Sequence, residues 1–358
     1  MKARQPCRGG AVEFDEVDAG SYTVDVEASL SGSLSGVGSA EVAVSEGETA
    51  SCSVLMSSVY TAAQAADRIA ERISDDNGEN WNIIVAGPID DGDLVKIAGN
   101  LKDVPTDGCI SLDLSRTTGL DLIGGAKFMG CTSLSGIVLP EGIGSIEENA
   151  FSGCTSLASI TIPDTVKAIN TNAFQDCTAL ESITIPNGGI QVIAASVFSG
   201  CSALKSVTIP NSVTSIGDSA FENCSTLESI VLPDSLMTIG QSAFFKCSAL
   251  KSVVIPNNVT KISASVFQSC ISLVSVVISN TATSIGASAF SGCSSLKTVV
   301  IPAGITGIYA GAFSYCDNLE TVYYGGTEAE WQDLMNLINS GNESLDTCPR
   351  KVYNYKGN

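Results

Sequence analysis

The sequence predicts an α/β repeat solenoid, rich in short strands, that winds about 23 residues into each coil. Three observations carry that expectation. Phenylalanine recurs at Phe128, Phe151, Phe174, Phe198, Phe221, Phe244, Phe267, Phe290 and Phe313, in steps of 23 residues with a single step of 24. A cysteine follows each phenylalanine by three residues and a leucine follows each cysteine by three, from Cys131 and Leu134 to Cys316 and Leu319. The composition agrees: 44% of residues are apolar but only 6% aromatic, so the core is built mostly of aliphatic side chains. Self-similarity at such a period is the signature of stacked units, none of which can bury its apolar face alone.

From the N-terminus, residues 1–57 stand apart from the repeats. Val12–Val17, Gly20–Val26, Glu41–Val44 and Ala50–Met56 alternate like strands of a small sandwich. The stretch from Ala19 to Val26 and the run Glu46-Gly47-Glu48-Thr49-Ala50 resemble the last strands of prealbumin-like or carboxypeptidase-regulatory-type β-domains. Only about four strands are present, so the segment is expected to be partial, with further strands and an export signal lying upstream. No secretory signal is visible after Met1, and no run of about 18 apolar residues predicts a membrane span.

Residues 58–126 are expected to cap the rod and form its first, degenerate coils. Ala62–Ile73 has helix composition, with Ile69 and Ile73 one turn apart. Trp81–Gly87 reads as a strand, Asp93–Leu101 as a helix capped by Asp90 or Asp91, and Ile110–Leu114 as an alternating strand.

The repeats then run over residues 127–325. In the unit from Leu204 to Pro210, Val207 and Ile209 alternate with Ser206 and Thr208, giving a short strand with one buried face. Pro210 lacks an N–H and fixes φ, so it ends the ladder and turns the chain. Equivalent prolines stand at Pro140, Pro163, Pro186, Pro233, Pro256 and Pro302, with Ser279 replacing one. Asp218 or Ser219 is expected to cap a short helical turn carrying Ala220 and Phe221. Gly188-Gly189 accounts for the single 24-residue step. Strands of successive coils should lie about 4.8 Å apart, so nine or ten coils make a rod on the order of 45 Å long. Residues 326–358 are the C-terminal cap, in which Trp331, Leu334 and Ile338 fit one helix face over the last coil.

The unit A-F-x-x-C-x-x-L-x-S-[IV]-x-[IVL]-P resembles the BspA-like, or Treponema-type, leucine-rich repeat of bacterial surface proteins. The resemblance covers residues 110 to 325, and the segment from Tyr323 to Trp331 is similar to the family's common C-terminal ending. It implies a right-handed superhelix on a secreted or surface-attached, adhesin-like protein. Such a protein binds host or neighbouring-cell macromolecules, protein or glycan. A structural spacer or self-associating surface-layer component is the alternative.

The composition bears on chemistry as well. The chain has no histidine, which removes Ser-His-Asp and Cys-His catalysis and imidazole metal ligands. Its net charge of −20, from 18 basic and 38 acidic residues, argues against binding a phosphate backbone. No catalytic, metal or cofactor residue is therefore assigned. The nine column cysteines are read first as a buried, inert ladder, with disulfides between adjacent coils as the rival. The acidic clusters Asp75–Glu79 and Asp90–Asp93 lack a complete calcium loop and read as turns and caps. Glu181, Lys205, Glu228, Lys251, Lys297 and Glu320 share one column, interrupted by Val274, and read as register support between coils. The next outward column is the candidate partner-binding strand face: Thr161, Thr184, Thr208, Val231, Val254, Val277, Val300 and Tyr323, with Tyr324 beside it. Threonine gives way there to valine. β-Propensity alone accounts for such a change, and so does an interface.

Overall fold

The computed structural model describes residues 57–74, 81–104, 109–338 and 340–356, together with the backbone of four upstream strand segments. Those segments form two antiparallel pairs, Lys2–Ala3 with Phe14–Asp15 and Gly20–Leu30 with Ser33–Val44. The expected strand at Ala50–Met56 and the acidic cluster at Asp75–Glu79 lie outside the described residues.

The repeats form a parallel β-solenoid of about 11 turns. Most coils supply a three- to five-residue strand to a main sheet and a two-residue strand to a second sheet, and neighbouring strands pair in parallel except where the sheets break, after Thr161 and Ile169, around Val231, and between Ile239 and Lys261. Ser252–Val254, Ser275–Val277, Thr298–Ile301 and Thr321–Tyr324 lie side by side in unbroken register. Ser215–Ile216 and Thr238–Ile239 show the same register on the second sheet. At Pro163, Pro210, Pro233, Pro256 and Pro302 the proline carbonyl accepts an N–H three residues on, as Val213 donates to Pro210 at 3.1 Å. Ser279 keeps that turn, its own carbonyl accepting from Ala282, while its hydroxyl takes the Thr281 N–H.

The third side of the coil corrects one expectation. The segment around Phe221 is a tight run of turns and not a helical turn capped by Asp218 or Ser219. Ser219 and Asn223, flanking Phe221, both have positive φ, at 53° and 58°. Left-handed backbone at both ends leaves no length for an α-helix. The pattern repeats in every coil, with a second left-handed column at Gly130, Gly153, Asp176, Gly200, Asn223, Lys246, Ser269, Gly292 and Tyr315. Glycine, asparagine and aspartate suit that conformation; lysine and tyrosine do not.

The phenylalanines are fully buried and stack through the rod with centroids 5.1–5.7 Å apart. Between them and the strands run the cysteines, leucines and isoleucines of one continuous core.

Among the described residues helices occur only at the ends of the rod. At the N-terminal end, α1 (Ala62–Ser74) and α2 (Asp91–Asp103) alternate with parallel strands Ser57–Tyr60, Trp81–Pro88 and Ile110–Thr118. Asp90 caps α2 through a reciprocal pair with Asp93. α2 buries Leu94, Ile97 and Leu101, and its carbonyls accept from the first coil: Ala98 from the Cys131 thiol and Leu101 from the Ser133 hydroxyl. At the other end α3 (Glu328–Leu337), capped by Thr327 and Glu330, buries Trp331 and Leu334. α4 (Glu343–Thr347) and strand Arg350–Val352 follow, the strand closing the main sheet beside Thr321–Tyr324. Among the described residues no helix is long and apolar enough to cross a membrane.

Candidate partner-binding face

The main-sheet face is held from beneath by the cysteine ladder. Each column thiol from Cys154 to Cys316 donates to the carbonyl of the phenylalanine one coil earlier, at 3.0–3.2 Å. The same carbonyl also accepts its own coil's cysteine N–H, as Phe221 does from Cys224 at 3.2 Å. Both acceptor sites of that buried carbonyl are thus filled, a role that alanine at the cysteine position would leave undone. All the described cysteines are free thiols, and the nine of the column are buried. Burial pushes the thiols of Cys131, Cys201 and Cys316 up to about 12, and the others of the column rise for the same first cause. The thiolate is the reactive form, so these groups are chemically quiet at neutral pH.

Above that core the outward strand positions are open. Thr161, Thr184 and Thr208 are exposed, then Val231 is 81% exposed, Val254 65% and Val277 41%. Val254, Val277 and Val300 are direct neighbours in the ladder. Exposure is lower at the C-terminal end: Val300 is half-buried, and the Tyr323 ring lies 4.7 Å, centroid to centroid, from Tyr355 of the cap.

Tyr324 does not belong to this face. It alternates with Tyr323, so it points inward with Val322, is only 2% exposed, and meets Trp331 edge-on at 5.1 Å. The candidate row therefore ends at Tyr323.

Two further exposed apolar residues precede the strand in the Val277 coil. Val274, where the charge column is interrupted, is 42% exposed, and Ile271 in the same coil is 51% exposed. Their signal was in the sequence, since each is an apolar residue at a position that other coils fill with a polar one. The charge column itself is paired as its alternation suggested. Lys205 meets Glu181 at 2.9 Å and Lys297 meets Glu320 at 3.1 Å, all more than half exposed. Such pairs are screened and weak, and they suit register more than ligand binding.

At Val231 the sheet itself is interrupted. No backbone hydrogen bond among the described residues joins 229–232 to either neighbouring strand, and the main sheet resumes at Ser252–Val254. No group of three or more histidine, cysteine, aspartate or glutamate side chains that could hold a metal ion occurs among the described residues.

The model of the BspA type leucine-rich repeat region matches this chain in six copies, over residues 121–229 and 214–334, together more than half of its length. A leucine-rich cell surface protein from Faecalibacterium prausnitzii is similar in structure, with 24% identity, 78% of this chain and 88% of that chain covered, and a TM-score of 0.42. A leucine-rich repeat protein from T. pallidum is 26% identical, with 64% of this chain and 83% of that chain covered and a TM-score of 0.37. The pneumococcal vaccine antigen PcpA is 16% identical, with 78% and 90% covered and a TM-score of 0.32. Among curated proteins, none matches the chain.

Proposed function

We propose a non-enzymatic, adhesin-like binding role for this chain, which belongs to the BspA-type leucine-rich repeat family. Leucine-rich repeat proteins of this kind generally serve interaction with other proteins. The finer reading is that the chain acts at a cell surface. There it presents its main-sheet face to a protein of the extracellular matrix, a host cell or a neighbouring bacterium.

The observation that carries this reading is the exposed apolar column of Val254 and Val277, paired in the ladder, with Val231 at the equivalent position of the coil before and Val274 and Ile271 at the start of the Val277 coil, each more than two-fifths exposed. The same column in the three coils before it is threonine. An apolar patch bordered by serine, threonine and paired charges has the make-up of an interface, with an apolar centre and a polar rim. A rigid scaffold presents it without loss of backbone freedom on binding.

The test is capture of matrix and bacterial-surface proteins by the chain and by the double variant Val254→Asp, Val277→Asp. Both positions face solvent, so the variant should melt within a few degrees of the parent. Loss of capture with the fold intact supports the patch, whereas undiminished capture removes it. A chain that captures nothing and sediments as a defined oligomer would point instead to self-association.

A further inference from the structure

The second sheet carries a trough that the main-sheet reading does not use. One position, directly after the buried isoleucine of each two-residue strand, is Gly217, Gly240, Ser263 and Gly286 in four successive coils, and Tyr309 in the next. At Gly217, Gly240 and Gly286 an added Cβ would fall 2.4–2.7 Å from backbone of the preceding coil, so close coil packing keeps those positions bare. The result is an open groove of about 720 Å³ running along the rod. Its floor is the second sheet, and Asp218, Gln241 and Lys261 stand along it. The half-exposed ring of Tyr309 closes one end, 3.9–4.0 Å from where a Cβ on Gly307 would stand, so it lies across the sheet face.

A second observation falls within the same groove. The N–H groups of Gly217, Gly240, Gly286 and Tyr309 donate to the isoleucine carbonyl of the coil before, at 2.8–2.9 Å. Ser263 breaks the series: its hydroxyl donates to the Ile239 carbonyl, and among the described residues its N–H has no hydrogen-bond partner. The N–H of Thr260, three residues earlier, has none either, and the second sheet divides between Thr238–Ile239 and Lys261–Ile262. Backbone donors are paired in nearly all buried or half-buried settings. Thr260 is exposed, so water meets its N–H, but Ser263 is half-buried in the groove lining, and its N–H is a donor that an incoming acceptor would satisfy.

We propose that this trough binds a carbohydrate chain laid along the rod. A sugar ring has an apolar face that rests on an aromatic ring and an edge of hydroxyls that both donate and accept. Tyr309 supplies the ring. Asp218 and Gln241 supply acceptors, and the Ser263 N–H, the Gln241 amide and Lys261 supply donors. The coil repeat of about 4.8 Å sets these groups at regular intervals, which suits a polymer whose own polar groups recur. A peptide is less suited, because the isoleucines of the floor are buried and leave no apolar pocket for its side chains. A polyanion is disfavoured by the chain's charge of −20. The trough lies on a different sheet from the proposed protein-binding patch and does not depend on it.

The experiment titrates the full chain with cellotetraose, chitotetraose and mannotetraose, followed by calorimetry and by the amide resonances of Thr260 and Ser263. One of these should bind with a Kd of about 1 mM or tighter. Tyr309→Ala should weaken binding about tenfold, Tyr309→Phe should retain it, and Val254→Asp should leave it unchanged. Should Tyr309→Ala fail to fold, Gln241→Arg fills the trough from an exposed position and should also abolish binding. No binding by any tetrasaccharide overturns the proposal. So does binding that survives both Tyr309→Ala and Gln241→Arg, binding that is lost in Val254→Asp, or a peptide that displaces no sugar yet shifts the same amides.

Discussion

The phenylalanine–cysteine columns and the outward main-sheet column run through the same coils at the same period, yet they behave oppositely. Inside, every coil repeats the same residue: nine phenylalanines and nine cysteines, all buried, with the thiols from Cys154 to Cys316 bonded alike from one coil to the next. Outside, threonine changes to valine midway and exposure falls from 81% at Val231 to 41% at Val277. The reason is geometric. An interior side chain sees only its own copies above and below, so the neighbour that fits one coil fits all of them. An outward side chain sees solvent or a partner, and nothing in the fold holds it constant. Stability is therefore concentrated in the columns that do not vary, and the outward columns are free to differ from coil to coil.

The largest expected break in that comparison is alkaline. The ordinary thiol value is 9.0, and burial raises it in every cysteine of the column. Above pH 9 the unfolded chain releases thiol protons that the folded chain still holds. The folded state then binds more protons, and the free energy of unfolding falls as pH rises. The loss is about 1.4 kcal/mol per pH unit for each such cysteine, up to the pH at which the folded thiols ionise. Below pH 9 the thiols contribute no pH dependence. Denaturant melts at pH 7, 9, 10 and 10.5 should therefore be flat at first and then steep. The triple variant Cys224→Ala, Cys247→Ala, Cys270→Ala should remove about a third of the slope if all nine act alike. A parent chain equally stable at pH 7 and 10.5 would show that the ladder does not hold its protons. Outward-column variants such as Val254→Asp should leave the slope untouched.

Next in size is the loss of one interior ring. Phe221 stacks on Phe198 at 5.4 Å and on Phe244 at 5.3 Å and is fully buried. Phe221→Ala removes both contacts and opens a cavity in mid-rod, at a cost of about 3–5 kcal/mol. Val254→Asp, on the same rod, should cost within about 0.5 kcal/mol because its position already faces water. Chemical-denaturation midpoints of the two variants measure the contrast directly. Equal losses would mean that the outward face is part of the core's support.

Periodicity made the interior legible. A residue repeated every coil has to meet its own copy, so the Phe, Cys, Leu and Pro columns located the core, the strand and the turn. Asp90, Thr327 and Trp331 at the caps could be read by helix rules. What the sequence left hidden depends on backbone detail that no side-chain period reports. The left-handed residues on both sides of each phenylalanine replaced the expected helical turn, and their signal was a column mixing Gly, Asn and Asp with Ser, Lys and Tyr. Strand alternation at the last coil turned Tyr324 inward, although its neighbour Tyr323 faces out. The trough beside Tyr309 arises from residues that lack side chains and from a lapse in the second sheet's ladder. Apolar patterning gives no warning of either.

The smallest expected effect tests the left-handed columns and sharpens the same contrast between fixed and free positions. Tyr315 and Lys246 occupy the column that holds glycine in four other coils, with φ of 57° and 58°. An L-residue there carries a cost of roughly 1–2 kcal/mol against glycine, partly offset because glycine loses more freedom on folding. Tyr315 is 73% exposed, so its side chain contributes little packing to set against that cost. Tyr315→Gly should accordingly raise stability by up to about 1 kcal/mol, whereas Gly200→Tyr, the reverse change at φ 77°, should lower it by at least as much. An added Cβ at Gly200 would also press on the Asp176 side chain one coil earlier. The pair of variants thus separates backbone strain from packing. If strain governs the column, Tyr315→Gly stabilises even though it deletes a large side chain. If instead the tyrosine ring contributes packing, its removal destabilises, and the column would count among the fixed positions of the rod by contact and not by conformation.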